Sequence, residues 1–79
     1  MAYGVVLFPS VHFAMRAEKA VKEKGLAVKL IPIPRHLSSD CGVGLRFLWE
    51  DKTAIEQILK LAAVPFDSLH PLSEGPPRP

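Results

Sequence analysis

Seventy-nine residues suffice for one domain with a small hydrophobic core, near the size at which a single core is only marginally stable. Hydrophobic residues make up 48% of the chain, which excludes a disordered polymer. Ten Lys and Arg against eight Asp and Glu leave a net charge of +2, too little to imply nucleic acid or an anionic membrane as a partner.

The N-terminus Met-Ala-Tyr-Gly-Val-Val-Leu-Phe-Pro lacks the basic start and small-residue cleavage site of a signal peptide. No apolar run approaches the roughly 18 residues that span a bilayer. One cysteine permits no internal disulfide, so the reducing cytoplasm is the expected compartment. A homodimer sharing apolar surface would help so short a chain.

Tyr3 to Phe8 is a nearly continuous apolar run closed by Pro9, which predicts a buried strand. Ser10 is placed to cap a following helix with its hydroxyl. Phe13, Ala17, Ala20 and Val21 form that helix's apolar stripe, Glu18 and Lys22 form an i,i+4 pair on its polar side, and Gly25 closes it. Leu26 to Pro32 reads as the next strand, with Val28 and Leu30 on one face and Lys29 and Ile31 on the other. A strand–helix–strand unit brings its strands parallel through a right-handed crossover.

Pro32 and Pro34 interrupt pairing, and Ser38-Ser39-Asp40-Cys41-Gly42 reads as a turn or loop. Val43 to Trp49 alternates as a strand: Val43, Leu45, Phe47 and Trp49 on one face, Gly44, Arg46 and Leu48 on the other. Asp51 can cap a second helix with the stripe Ile55, Ile58, Leu59 and Ala62, ended by Pro65. Phe66 to His70 can add a short edge strand, although little in its composition demands one. The order is β-α-β-β-α with room for a last β, an α+β chain of the ferredoxin-like split βαβ type: an antiparallel sheet with two helices on one face. The expected domain spans residues 1–70, and the proline-rich tail 71–79 is expected to be disordered or extended.

Cys41 is the one candidate reactive group. A thiolate is the nucleophilic form of cysteine, and nearby cations or backbone N–H groups favour it. Arg35, His36 and Arg46 can supply the cations, Ser39 a hydroxyl, and Gly42 a close backbone approach, while Asp40 opposes a thiolate. A buried, inert residue at a strand start is the alternative, since free cysteines are most often of that kind.

Other constellations lack parts. A structural zinc site needs four ligands in paired spacing, whereas this chain has one Cys and three scattered His, so no metal is expected. Ser38 and Ser39 beside His36 and Asp40 do not make a triad without a nucleophile turn and an oxyanion hole. Gly42-Val43-Gly44 lacks the third glycine and following helix of a dinucleotide fingerprint and reads as a bulge or close approach. Lys19, Lys22, Lys24 and Lys29, interrupted by Glu18 and Glu23, read as a solvated helix face.

The runs Val6-Leu-Phe-Pro-Ser-Val-His-Phe-Ala-Met-Arg-Ala-Glu-Lys and Ile31-Pro-Ile-Pro-Arg-His-Leu-Ser-Ser-Asp-Cys-Gly-Val-Gly-Leu-Arg-Phe together resemble a family of small bacterial proteins described as selenium/sulfur carrier-like. The resemblance covers roughly residues 3 to 70, and its most specific part is Pro-Arg followed by Ser-x-Cys-Gly and an apolar strand. It implies that Cys41 is the carrier atom, with Pro34, Arg35, Ser39 and Gly42 around it. The sulfur carriers of tRNA thiolation instead hold their cysteine in Cys-Pro-x-Pro at a helix start. Here the Pro-x-Pro begins nine residues before the cysteine.

The resemblance implies a carrier without cofactor rather than an enzyme. Cys41 would take up sulfur or selenium as a persulfide or perselenide from a cysteine desulfurase-like donor and pass it to an acceptor protein. The alternative is an interaction or small-ligand module of the same fold, without chemistry. A thiol redox enzyme is disfavoured because no second cysteine can resolve a disulfide within the chain.

Overall fold

The computed structural model describes residues 2–33 and 42–72. Strand β1 (Tyr3–Leu7) leads into helix α1 (Val11–Glu23), then strands β2 (Val28–Pro32) and β3 (Val43–Leu48). A short 3-10 turn (Trp49–Asp51) runs directly into helix α2 (Lys52–Leu61), and strand β4 (Ser68–Leu72) closes the order. The four strands form one sheet in the order β2-β3-β1-β4, and every neighbouring pair is antiparallel. Each β-α-β unit therefore has parallel strands split by an antiparallel one, the ferredoxin-like arrangement expected from the element order.

Helix packing follows from the alternation of the strands. Val6 and Phe8 join Leu45 and Phe47 of β3, Ala14, Ala17 and Val21 of α1, and Ile55 and Leu59 of α2 in one buried cluster. Val28, Leu30 and Leu69 pack partly against it from the two edge strands. Burying a residue such as Leu59 or Ile55 fully stabilises the fold by about 1.5–3 kcal/mol, so this cluster is what holds both helices on one face.

Both helices stop in the same way. At the end of α1 the Gly25 N–H donates to the Lys22 carbonyl at 2.9 Å and the Leu26 N–H to the Val21 carbonyl at 3.4 Å, with Gly25 at φ +84°. At the end of α2 the Ala63 N–H donates to Lys60 at 3.1 Å and the Val64 N–H to Leu59 at 2.9 Å, with Ala63 at φ +56°. Both are Schellman closures, each followed by an apolar residue that returns to the core.

Several expectations shift in detail. Ser10 and Asp51 occupy the N-cap positions but make no side-chain cap bonds; the Ser10 carbonyl instead accepts from Phe13 and Ala14. Trp49 leaves β3 for the 3-10 turn, where its N–H donates to the Ala2 carbonyl at 2.9 Å and its ring stacks on Phe47 at 5.9 Å. The last strand runs over Ser68–Leu72 rather than from Phe66, so Pro71 and Leu72 belong to the sheet. Pro71 and Pro32 both lie on edge strands, where a missing N–H is tolerated. The tail beyond Leu72 lies outside the described residues. Among the described residues, no helix is long and apolar enough to cross a membrane.

Candidate functional site

The segment that carries Cys41 is held at both ends by neighbouring strands. Pro32 pairs with Val43, and beyond that pair the Ile33 N–H donates to the Gly42 carbonyl at 3.2 Å. The chain thus leaves the sheet at Ile33 and re-enters at Gly42, the residue directly after Cys41. Gly42 is exposed at φ +80°, a left-handed conformation that glycine adopts without steric cost. Arg35, His36, Ser39 and Cys41, together with Pro34, lie outside the described residues.

Gly44 makes the close approach that its motif suggested. A Cβ there would stand 2.5 Å from Val5 Cγ2, 3.0 Å from the Val6 carbonyl oxygen and 3.3 Å from Ile33 Cδ1. The absent side chain lets β1 and β3 bring Val5 flat against the strand that follows the cysteine segment.

Arg46 lies four residues beyond Gly42 along β3, which corresponds to about 13 Å of extended chain. Its guanidinium carbon sits 4.6 Å from the centroid of the Tyr3 ring, and Tyr3 pairs still further along, with Leu48. Arg46 is thus engaged at the end of the sheet remote from Gly42.

The face of the sheet opposite the helices carries Tyr3, Val5 and Leu7 of β1, Gly44, Arg46 and Leu48 of β3, Lys29 and Ile31 of β2, and Ser68, His70 and Leu72 of β4. One row crosses all four strands in register as His70, Val5, Arg46 and Lys29. The four strands contain no acidic residue, and their only basic residues are these three, all on this row. Lys29 therefore belongs to the sheet face opposite the helices and not to a solvated helix face with Lys19, Lys22 and Lys24.

Ser68 Oγ lies 2.8 Å from His70 Nε2, two residues apart on β4. Among the described residues no carboxylate hydrogen-bonds this imidazole, so the pair lacks the third member of a catalytic triad. No cluster of three or more His, Cys, Asp or Glu that could hold a metal occurs among the described residues. Sequence reasoning passed over Tyr3, Ser68, His70 and the alignment of Lys29 with Arg46. Strand alternation assigns each to a face, but only the pairing register places them in one row.

No curated protein and no solved structure matches the chain. A family model described as "Putative Se/S carrier protein-like" matches residues 3–71, from the first residue of β1 to the penultimate residue of β4. That match spans all four strands, both helices and the cysteine segment, and the chain belongs to this selenium/sulfur carrier-like family.

Proposed function

We propose that the protein carries a sulfur or selenium atom on Cys41, as a persulfide or perselenide, between a cysteine desulfurase-like donor and an acceptor protein. The observation that carries this reading is the family match over 3–71, in a chain whose only thiol is Cys41. In the transfer, the Cys41 thiolate attacks the terminal sulfur of the donor's persulfide. The donor's S–S bond breaks, its electron pair stays on the donor cysteine as a thiolate, and Cys41 now holds the sulfur. The proton lost from Cys41 goes to solvent, and no external oxidant or reductant is needed. Arg35 and His36 stand near Cys41 in sequence and stabilise the resulting anion; Ser39 and the Gly42 N–H donate to it. Arg46, four residues beyond Gly42 along β3, is the third cation of this set.

The test is intact-mass measurement after anaerobic incubation with a cysteine desulfurase and cysteine. An adduct of about 32 Da, one sulfur atom, is expected on the wild type and not on Cys41→Ala. A Cys41 that alkylates readily yet never gains the adduct overturns the proposal. An interaction module is the second reading, favoured by the basic row on the sheet face opposite the helices, where Lys29 is exposed although Val5 and Leu7 are buried. Alkylation of Cys41 separates the two: a carrier thiol reacts quickly, with a midpoint below the reference of about pH 8.5, whereas a module's thiol reacts slowly.

A further inference from the structure

Lys29, exposed, and Arg46, half-buried, stand directly opposite one another on the β2–β3 pair, on the face away from the helices. Like charges in that position repel and destabilise a sheet. Neither has an ion-pair partner among the described residues, where the recorded ion pairs are Glu18–Lys22 and Lys52–Glu56. The two cations border an open groove of about 570 Å³, which Lys22 also reaches from the last turn of α1. Lys22 is partly neutralised by Glu18 at 3.3 Å, so the uncompensated charge is concentrated on the cross-strand pair. Tyr3 lines the same groove and fixes the Arg46 guanidinium from below at 4.6 Å. A cation–π contact of this kind orders the head group before any ligand arrives. The remaining walls, Ala27, Val28 and Leu48, are apolar.

We propose that this groove binds the phosphate dianion of a small organic phosphate, independently of Cys41. Two adjacent cations match a dianion in charge: the planar fork of Arg46 accommodates two phosphate oxygens side by side, and Lys29 adds a mobile point charge. The groove is larger than a bare phosphate, and its apolar walls suit a small hydrocarbon or ring attached through the ester oxygen. Binding removes the Lys29–Arg46 repulsion, so the ligand stabilises the fold as well as occupying it.

Amide NMR titration at constant ionic strength tests this with phenyl phosphate, inorganic phosphate and benzoate as probes. Phenyl phosphate is expected to give saturable shifts at Tyr3, Lys29 and Arg46 and none at Lys60 on α2. Inorganic phosphate is expected to bind the same residues more weakly, and benzoate more weakly than phenyl phosphate. Lys29→Gln is expected to weaken phenyl phosphate binding by about tenfold, the loss of one charge-assisted contact. The same variant is expected to melt no lower than the wild type without ligand, and to lose most of the rise in melting temperature that phenyl phosphate gives. Shifts that stay linear with concentration, that are unchanged in Lys29→Gln, or that benzoate reproduces at equal affinity overturn the proposal. Arg46→Gln serves as a second variant, its fold verified first because it also loses the Tyr3 contact.

Discussion

Ala63 and Gly44 show how single residues fix this fold, with opposite consequences for substitution. Ala63 occupies the left-handed position of the α2 closure at φ +56°, where the equivalent residue of α1 is Gly25 at φ +84°. A Cβ there crowds the backbone, at a cost of roughly 1–2 kcal/mol, partly offset by the greater freedom that glycine gives the unfolded chain. Ala63→Gly is therefore expected to stabilise the protein by about 0.5–1 kcal/mol, read as a higher urea midpoint with unchanged slope. A lower midpoint would mean that the exposed methyl makes contacts outweighing the strain. Gly44→Ala works the other way. Its new methyl would meet Val5 Cγ2 at 2.5 Å and the Val6 carbonyl at 3.0 Å, and the backbone oxygen cannot rotate aside. Overpacking of that kind costs about 1–3 kcal/mol, so urea unfolding of Gly44→Ala is expected at a lower midpoint. A midpoint equal to that of the wild type would show that β1 and β3 separate at no cost.

The elements that the sequence made legible are those whose signals are local. Alternation in Val43 to Leu48 assigned both faces of β3, the i,i+4 spacing of Glu18 and Lys22 anticipated a bond now seen at 3.3 Å, and Gly25 announced the end of α1. The α2 ending was signalled by Pro65 and not by a glycine, because Ala63 takes the left-handed position that its residue type disfavours. It is held there by Val64, buried in the core one residue later. Trp49 continued the alternation of β3 in sequence, yet its ring packs on Phe47 while its backbone turns into the 3-10 segment. The last strand was misplaced by two residues because Ser68-Leu-His-Pro-Leu has little β-propensity of its own. Its register comes from β1, with Asp67 anchored to the Leu7 carbonyl at 2.7 Å. The basic row on the face opposite the helices was hidden for the same reason: His70, Arg46 and Lys29 lie on three different strands, and only long-range pairing aligns them.

At the scale of the whole molecule, the split βαβ order gives the strands unequal roles. β1 and β3 are paired on both sides and bury Val5, Val6, Leu45 and Phe47. β2 is an edge, but α1 lies against it and Val28 and Leu30 reach the core. β4 is the other edge; its principal neighbour is β1, and Pro71 removes one N–H from it. Stability should therefore fall from the centre towards β4, since local opening frees segments with few buried contacts first. Native-state hydrogen exchange is expected to show the Val6 and Leu45 amides opening only with global unfolding. Leu69 and His70 should open at lower free energy and with little dependence on denaturant. Protection of β4 equal to that of β3 would instead make the sheet one cooperative unit. In the expected case the cysteine segment, tied through Ile33 and Gly42 to β2 and β3, is mounted on the more stable side of the sheet. Local opening at β4 then leaves the Ile33–Gly42 tie in place, so the carrier role proposed for Cys41 would not depend on β4 staying closed.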